Sequence, residues 1–247
     1  MALLEVREVS KDFGGLRAND RISFQVGADE VVGLIGPNGA GKTTLFNCVA
    51  GYYPVSGGQV FFDGQDITPL KDFQVCRLGL ARTFQIFQAS GDLSVAENVM
   101  VGAFVRTGSR RKARAKAEEW LEFLGIADAG GLMLSELPVA RQKRVALATA
   151  LASDPKLLLL DEVAAGLNAA EVDGLVKLLT RIHREKGLAL LLTEHVMEMV
   201  MALSHRVVVL ESGRKIAEGE PAQVVKDPEV IRAYLGDHLV SGENGHA

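Results

Sequence analysis

Residues 36–44 read GPNGAGKTT and lie between an apolar strand-like run, EVVGLI, and a helix-like run, TTLFNCVAG. Glycines at this spacing let the backbone fold tightly enough for successive N–H groups to face one anion, and the helix start behind them adds positive potential. The pattern G-x-x-x-x-G-K-T puts Lys42 where it can bridge the β- and γ-phosphates of a nucleotide and Thr43 where its hydroxyl can hold Mg2+. Gly36, Pro37, Asn38, Gly39, Ala40, Gly41, Lys42, Thr43 and Thr44 therefore form the predicted phosphate site.

A second stretch, KLLLLDE, ends in Asp161 and Glu162. Carboxylates leaving a buried strand are costly unless they face a site at its C-terminal edge, where ligands of such sheets bind. Asp161 is expected to hold Mg2+ through water, and Glu162 to orient or deprotonate an attacking water. Gln85, after the strand-like GLARTF, and His195, after GLALLLTE, each read alone as ordinary polar residues. Their order with the two motifs makes Gln85 a candidate contact to metal and water and His195 one to the γ-phosphate.

These groups need a frame. Short β-branched runs, LLEVREV, RISFQV, EVVGLIG and QVFFDG, open the chain between Gly and Asp turns. From Ser94 to Gly125 the apolar spacing changes to three and four residues, which predicts helices over SVAENVMVGAF and RKARAKAEEWLEFLG. Strands return as KLLLLDE, GLALLLT and HRVVVLES, separated by helices such as 169–186; near-continuous apolar strands of this kind predict a parallel sheet covered on both faces. The expected division is a nucleotide-binding core over 1–88 and 155–240, a helical subdomain over 89–154, and a disordered tail over 241–247.

Composition narrows the class. Hydrophobic residues at 48% of 247 supply a core, yet runs such as Leu188–Leu192 fall far short of the ~18 residues a membrane span needs. The N-terminus lacks a long apolar stretch, so no signal peptide is expected, and two cysteines without metal-ligand spacing fit a cytoplasmic protein. A net charge of -4 argues against nucleic acid as a partner. One basic patch, Arg106, Arg110, Arg111, Lys112, Arg114 and Lys116, reads as a solvated helix face, with a membrane surface or acidic partner as the alternative.

The stretches FGGLRANDRISF, GLIGPNGAGKTTLFN, GLARTFQIFQ, LSVAENVMVG, TEHVMEMVMALSHRVVVLESGRKIAEGEP and DPEVIRAYLG, with AGLN after Glu162, resemble the ATP-binding subunits of ABC importers, and specifically those of the branched-chain amino-acid family. The likeness runs over nearly the whole chain. It implies an α/β P-loop nucleotide-hydrolysing fold with a mostly parallel core sheet, an N-terminal antiparallel β region and an inserted helical subdomain. It also implies ATP hydrolysis with Mg2+, Phe13 stacked on adenine, membrane-embedded permease subunits as partners, and indirect service to a periplasmic or extracellular solute-binding protein. The expected location is the cytoplasmic face of the membrane.

One element departs from the family. Counting seven residues back from Arg144, taken as the residue that opens the helix after the signature, places LPVAR where the family has L-S-G-G-Q. Pro138 stands for the serine, Val139 and Ala140 for the glycines, and Arg141 for the glutamine. In the family's head-to-tail dimer that serine hydroxyl and those glycine N–H groups bind the γ-phosphate held by the other subunit. A lost hydroxyl donor of this kind costs on the order of 10²-fold in rate. Proline is tolerated where a helix begins, so the N–H groups of Val139 and Ala140 are expected to survive, with Arg141 offering a charge-assisted contact. The expectation is an intact site of its own, a weakened one lent to a partner, and pairing with a second, different ATP-binding subunit in preference to a homodimer. Val163, where the family usually has proline, is a second departure. The competing readings are a soluble ABC ATPase not coupled to transport and an ATP-gated scaffold without catalysis.

Overall fold

The computed structural model describes residues 2–83 and 93–235. Gln85 and the 241–247 tail lie outside the described residues. The chain opens with a long antiparallel hairpin of β1 (Ala2–Phe13) and β2 (Leu16–Gly27), closed where Phe13 faces Leu16. The fully buried β3 (Val31–Ile35) follows, then the phosphate loop and α1 (Lys42–Val49). Next come β4 (Gly57–Phe62), β5 (Gln65–Asp66), α2 (Asp72–Leu78) and the short β6 (Leu80–Arg82), which covers only the middle of GLARTF. Residues 93–151 contain α3 (Val95–Ala103), α4 (Arg110–Phe123), two 3-10 turns and α5 (Val139–Leu151). The chain then alternates β7 (Leu157–Asp161), α6 (Ala169–Lys186), β8 (Ala189–Thr193), α7 (Met197–Leu203) and β9 (Arg206–Glu211), and finishes with β10 (Arg214–Gly219), α8 (Pro221–Val224) and α9 (Pro228–Leu235).

Two sheets result. The first is antiparallel, in the order β2-β1-β4-β5; the second runs β10-β9-β3-β8-β7-β6, parallel throughout except for the β10–β9 edge pair. Period-two alternation between two covered faces explains why its central strands β3, β7 and β8 are almost wholly apolar. Leu158 and Leu160 of β7, with Leu190 and Leu192 of β8, point into a cluster built with Val99, Trp120, Leu147, Leu179 and Val200 of the helices on that side. Leu157, Leu159, Ala189 and Leu191 point the other way, into Leu45, Phe46 and Val49 of α1 and Leu4 and Val6 of the first sheet. The phosphate loop and the end of β7 are thereby held at one edge of a layer buried on both faces.

Local signals set the ends of the helices. Ser94 caps α3, accepting from the Glu97 N–H while Glu97 accepts from Ser94, and Asn168 and Glu171 do the same for α6. Gly187, left-handed at φ 60°, ends α6.

One expectation fails here. Arg144 does not open the helix after the signature: α5 starts five residues earlier, at Val139, with Pro138 as its N-cap. The cause is local. Pro138 has no N–H, so it suits a helix start, and its carbonyl accepts from Arg141 and Gln142. The basic patch is a solvated face, with Arg106, Arg110, Arg111, Lys112 and Arg114 exposed, and part of its charge is paired within the chain. Arg106 donates to the carbonyls of Arg77 (2.6 Å) and Ser153 (2.7 Å), Arg114 pairs with Glu118, and Lys116 pairs with Asp154 and Glu119. No helix among the described residues is long and apolar enough to cross a membrane.

Candidate active site

The phosphate loop closes because two glycines occupy places no side chain could. Gly36, at φ 149°, passes so near the Leu210 carbonyl that a Cβ would meet it at 2.1 Å; at Gly41, φ 94°, a Cβ would meet the Ala18 carbonyl and the Asn19 amide at 2.5 Å. Asn19, fully buried, donates to the Gly41 carbonyl at 3.1 Å, and the Gly213 N–H donates to Ala40 at 3.1 Å. The β1–β2 hairpin and the β9–β10 turn thus grip the loop from both sides.

Lys42 is 5% exposed and donates to the carbonyls of Gly36 (2.7 Å) and Pro37 (3.0 Å). Burial pushes its ammonium below the usual lysine range, against the opposing charges of Glu162 and Asp161. A cation held over the loop by backbone oxygens can take phosphate oxygens in their place. The loop opens on a cavity of about 570 Å³ whose walls include Lys42, Thr43, Phe13, Glu162 and His195. Phe13 is exposed, edge-on to Tyr53 at 5.5 Å, with the Lys11 ammonium 4.9 Å over its ring. A flat exposed ring on that wall can stack on a base.

Asp161 and Glu162, adjacent in sequence, have opposite environments. Asp161 is 2% exposed; one oxygen accepts the Thr193 hydroxyl at 2.7 Å and the other accepts Arg82 at 2.6 Å, in a buried ion pair. Arg82 also donates to Asn47 of α1, so it ties β6, β7 and the helix behind the phosphate loop together. Glu162 turns out of the strand at φ 49°, a left-handed conformation unusual for a side-chain-bearing residue, and is held there as its N–H donates to the Thr193 carbonyl at 3.0 Å. Its Oε1 lies 3.0 Å from Nε2 of the partly exposed His195. A carboxylate paired with an imidazole at a cavity wall can orient water and accept its proton.

The structure gathers Phe13, Asn38 to Thr44, Glu162 and His195 around one cavity, while Asp161, the residue before Glu162, is buried and does not line it. Pro138, Val139, Ala140 and Arg141 lie away from it at the exposed N-terminus of α5. There the N–H groups of Val139 and Ala140 have no partner among the described residues, while Arg141 is committed to an ion pair with Asp128. Gln85 lies outside the described residues. Sequence reasoning missed Arg82, Thr193 and Asn19. Arg82 stood three residues before Gln85 in the stretch ARTFQ, and a charge inside a strand was its only signal.

The sequence profile of the ABC transporter family matches residues 19–165. This chain belongs to the ABC transporter family. The profile of the branched-chain amino acid ATP-binding cassette transporter matches residues 214–240. The high-affinity branched-chain amino acid transport ATP-binding protein BraF of Pseudomonas aeruginosa is 36% identical, over 95% of this chain and 98% of that protein. The protein of the same description, LivG, of Escherichia coli K12 is 37% identical over the same shares. Among solved structures, a nucleotide-free ATP-binding cassette from an ABC transporter superposes with a TM-score of 0.87 at 29% identity, covering 96% of this chain and 100% of that one. The ADP conformation of MJ1267, an ATP-binding cassette of an ABC transporter, gives 0.87 at 30% identity, over 96% and 99%. As an ABC ATPase the chain binds nucleotide and hydrolyses ATP.

Proposed function

We propose that this chain is the ATP-hydrolysing subunit of an importer for branched-chain amino acids or related small solutes, docked on membrane-embedded permease subunits at the cytoplasmic face of the membrane. A periplasmic or extracellular solute-binding protein would deliver the cargo. The observation that carries the catalytic part is the Glu162–His195 pair at 3.0 Å on the wall of the cavity that the phosphate loop opens into. The class of cargo is supported by likeness over 95% of the chain to BraF and LivG and by the match at residues 214–240.

In this reading ATP binds with its phosphates along residues 36–44 and its base against Phe13. Lys42 leaves the loop carbonyls for the β- and γ-phosphates. The donors fit Mg2+: Thr43 offers a hydroxyl at the cavity and Asp161 a carboxylate whose two oxygens each keep a further acceptor direction, all hard oxygens. Gln85 would complete the set. When bound, Mg2+ neutralises charge on the β- and γ-phosphates. Glu162 orients the water and takes its proton as the new oxygen–phosphorus bond forms and the bond to the bridging β–γ oxygen breaks, yielding ADP and phosphate. His195 contacts the γ-phosphate and holds Glu162 in register.

The unpartnered N–H groups of Val139 and Ala140 would face the nucleotide of a second subunit, and Pro138 brings no hydroxyl to it. The chain therefore pairs with a different ATP-binding subunit whose own signature completes the site described above. Uptake of labelled leucine by cells in which this gene is replaced by its Glu162→Gln form tests the reading. Loss of uptake with the assembly intact is expected; unchanged uptake would refute it. The non-catalytic scaffold is opposed by the Glu162–His195 pair and the soluble ATPase by the match to transporter subunits.

A further inference from the structure

One buried acid beside the site has no part in the chemistry above. Glu194 follows β8, directly before His195, and is 3% exposed. Its Oε1 accepts the N–H of Ala164 at 2.8 Å. Ala164 is itself buried, two residues beyond Glu162. The turn that carries Glu162 is thus fastened on both sides to the end of β8: the Glu162 N–H to the Thr193 carbonyl, and the Ala164 N–H to the Glu194 side chain. The second fastening ends on the residue directly before His195.

Burying a carboxyl is costly unless its acceptors are used and an opposite charge is near. One acceptor is used by the Ala164 N–H, and an opposite charge acts from beyond ion-pair distance. The half-buried ammonium of Lys143, on α5, feels the charge of Glu194 first and of Glu162 second. Burial is the main influence on each group, pushing the Glu194 carboxyl up and the Lys143 ammonium down, and their mutual attraction opposes both shifts. Lys143 stands two residues after Arg141 on the helix whose exposed end is LPVAR.

We infer that Glu194 is a positioning residue of the hydrolytic pair: its carboxyl clamps the turn bearing Glu162 onto the end of β8 that carries His195. The inference rests on the hydrolytic reading of Glu162. It follows from the conformation of Glu162, whose φ of 49° persists only if its surroundings over-determine it.

The test compares Glu194→Ala, Glu194→Gln and Lys143→Met in the full chain assembled with its partner ATP-binding subunit. ATP affinity and single-turnover hydrolysis are measured separately. Misplacing a catalytic group by ~1 Å costs about 10²-fold, so Glu194→Ala is expected to lower the hydrolysis step about 100-fold with ATP affinity unchanged. Glu194→Gln keeps an oxygen for the Ala164 N–H and is expected to restore most of the rate. Lys143→Met is expected to lower the rate by less, and it serves as the second probe where Glu194→Ala fails to fold. On a Glu162→Gln background, Glu194→Ala is expected to cost nothing more, because it acts through Glu162. Equal rates for all three variants would overturn the inference, as would a parallel loss of ATP binding and rate in Glu194→Ala that glutamine does not rescue. A wild-type assembly without Glu162-dependent turnover would sink the hydrolytic reading and the inference with it. Hydrogen exchange at the Ala164 amide, which needs no turnover, is expected to be protected in wild type and Glu194→Gln and released in Glu194→Ala; an unprotected wild-type amide would overturn the clamp alone.

Discussion

The phosphate loop and the N-terminus of α5 are both helix starts that can present backbone N–H groups to a phosphate, but their sequences have diverged. At the loop the described residues supply left-handed glycines with no room for a Cβ, Lys42 over backbone oxygens, and the Glu162–His195 pair at the cavity. At α5 the N–H groups of Val139 and Ala140 remain, without a partner among the described residues, but Pro138 offers no hydroxyl and Arg141 is turned to Asp128. The general electrostatics of a helix end survive substitution, because any residue but proline carries an N–H there. The specific donors do not survive.

The largest expected effect breaks the stronger end. Glu162→Gln should lower turnover by about 10²–10⁴-fold while ATP binding persists, checked by phosphate release and nucleotide titration. If turnover survives, the base lies elsewhere.

Next comes Gly41→Ala. At φ 94°, with the Ala18 carbonyl 2.5 Å from the new Cβ, the loop must open at a cost of about 1–3 kcal/mol of backbone strain alone, seen as a lower unfolding midpoint together with loss of ATP binding. Retained ATP binding would show that the loop tolerates a shape this structure excludes.

The opposite end can be sharpened by repair. Pro138→Ser returns the hydroxyl, and since one such donor is worth on the order of 10²-fold or more, the self-paired chain should gain at least about 10-fold in turnover. No gain would mean that Val139 and Ala140, not Pro138, limit the site. The smallest effect is expected from Arg141→Gln. It breaks only an exposed ion pair with Asp128, so the unfolding midpoint should be unchanged within error, while a change in turnover would reveal that Arg141 leaves Asp128 to reach a nucleotide.

The sequence made legible what is local. The phosphate loop is a contiguous motif; α6 spans Ala169–Lys186 because Asn168, Glu171 and Gly187 are caps readable in order; and the two-faced apolar strands could only belong to a covered sheet. What escaped depends on distance along the chain. Arg82 meets Asp161 and Asn47 through the pairing of β6 with β7, and Glu194 meets Ala164 across β7 and β8; no periodicity encodes such meetings. The start of α5 is legible in Pro138, which suits a helix N-terminus, whereas the family spacing that makes Arg144 open the helix does not hold.

The central claim, that this chain keeps its own site and lends a weak one, is tested most directly by ATP hydrolysis of the purified chain as a function of its concentration, alone and with its partner ATP-binding subunit. The account predicts ATP binding with almost no turnover alone, and turnover with the partner that Glu162→Gln abolishes. A rate per subunit that rises with the concentration of this chain alone would contradict it and show that LPVAR serves a phosphate as well as the sequence it replaces.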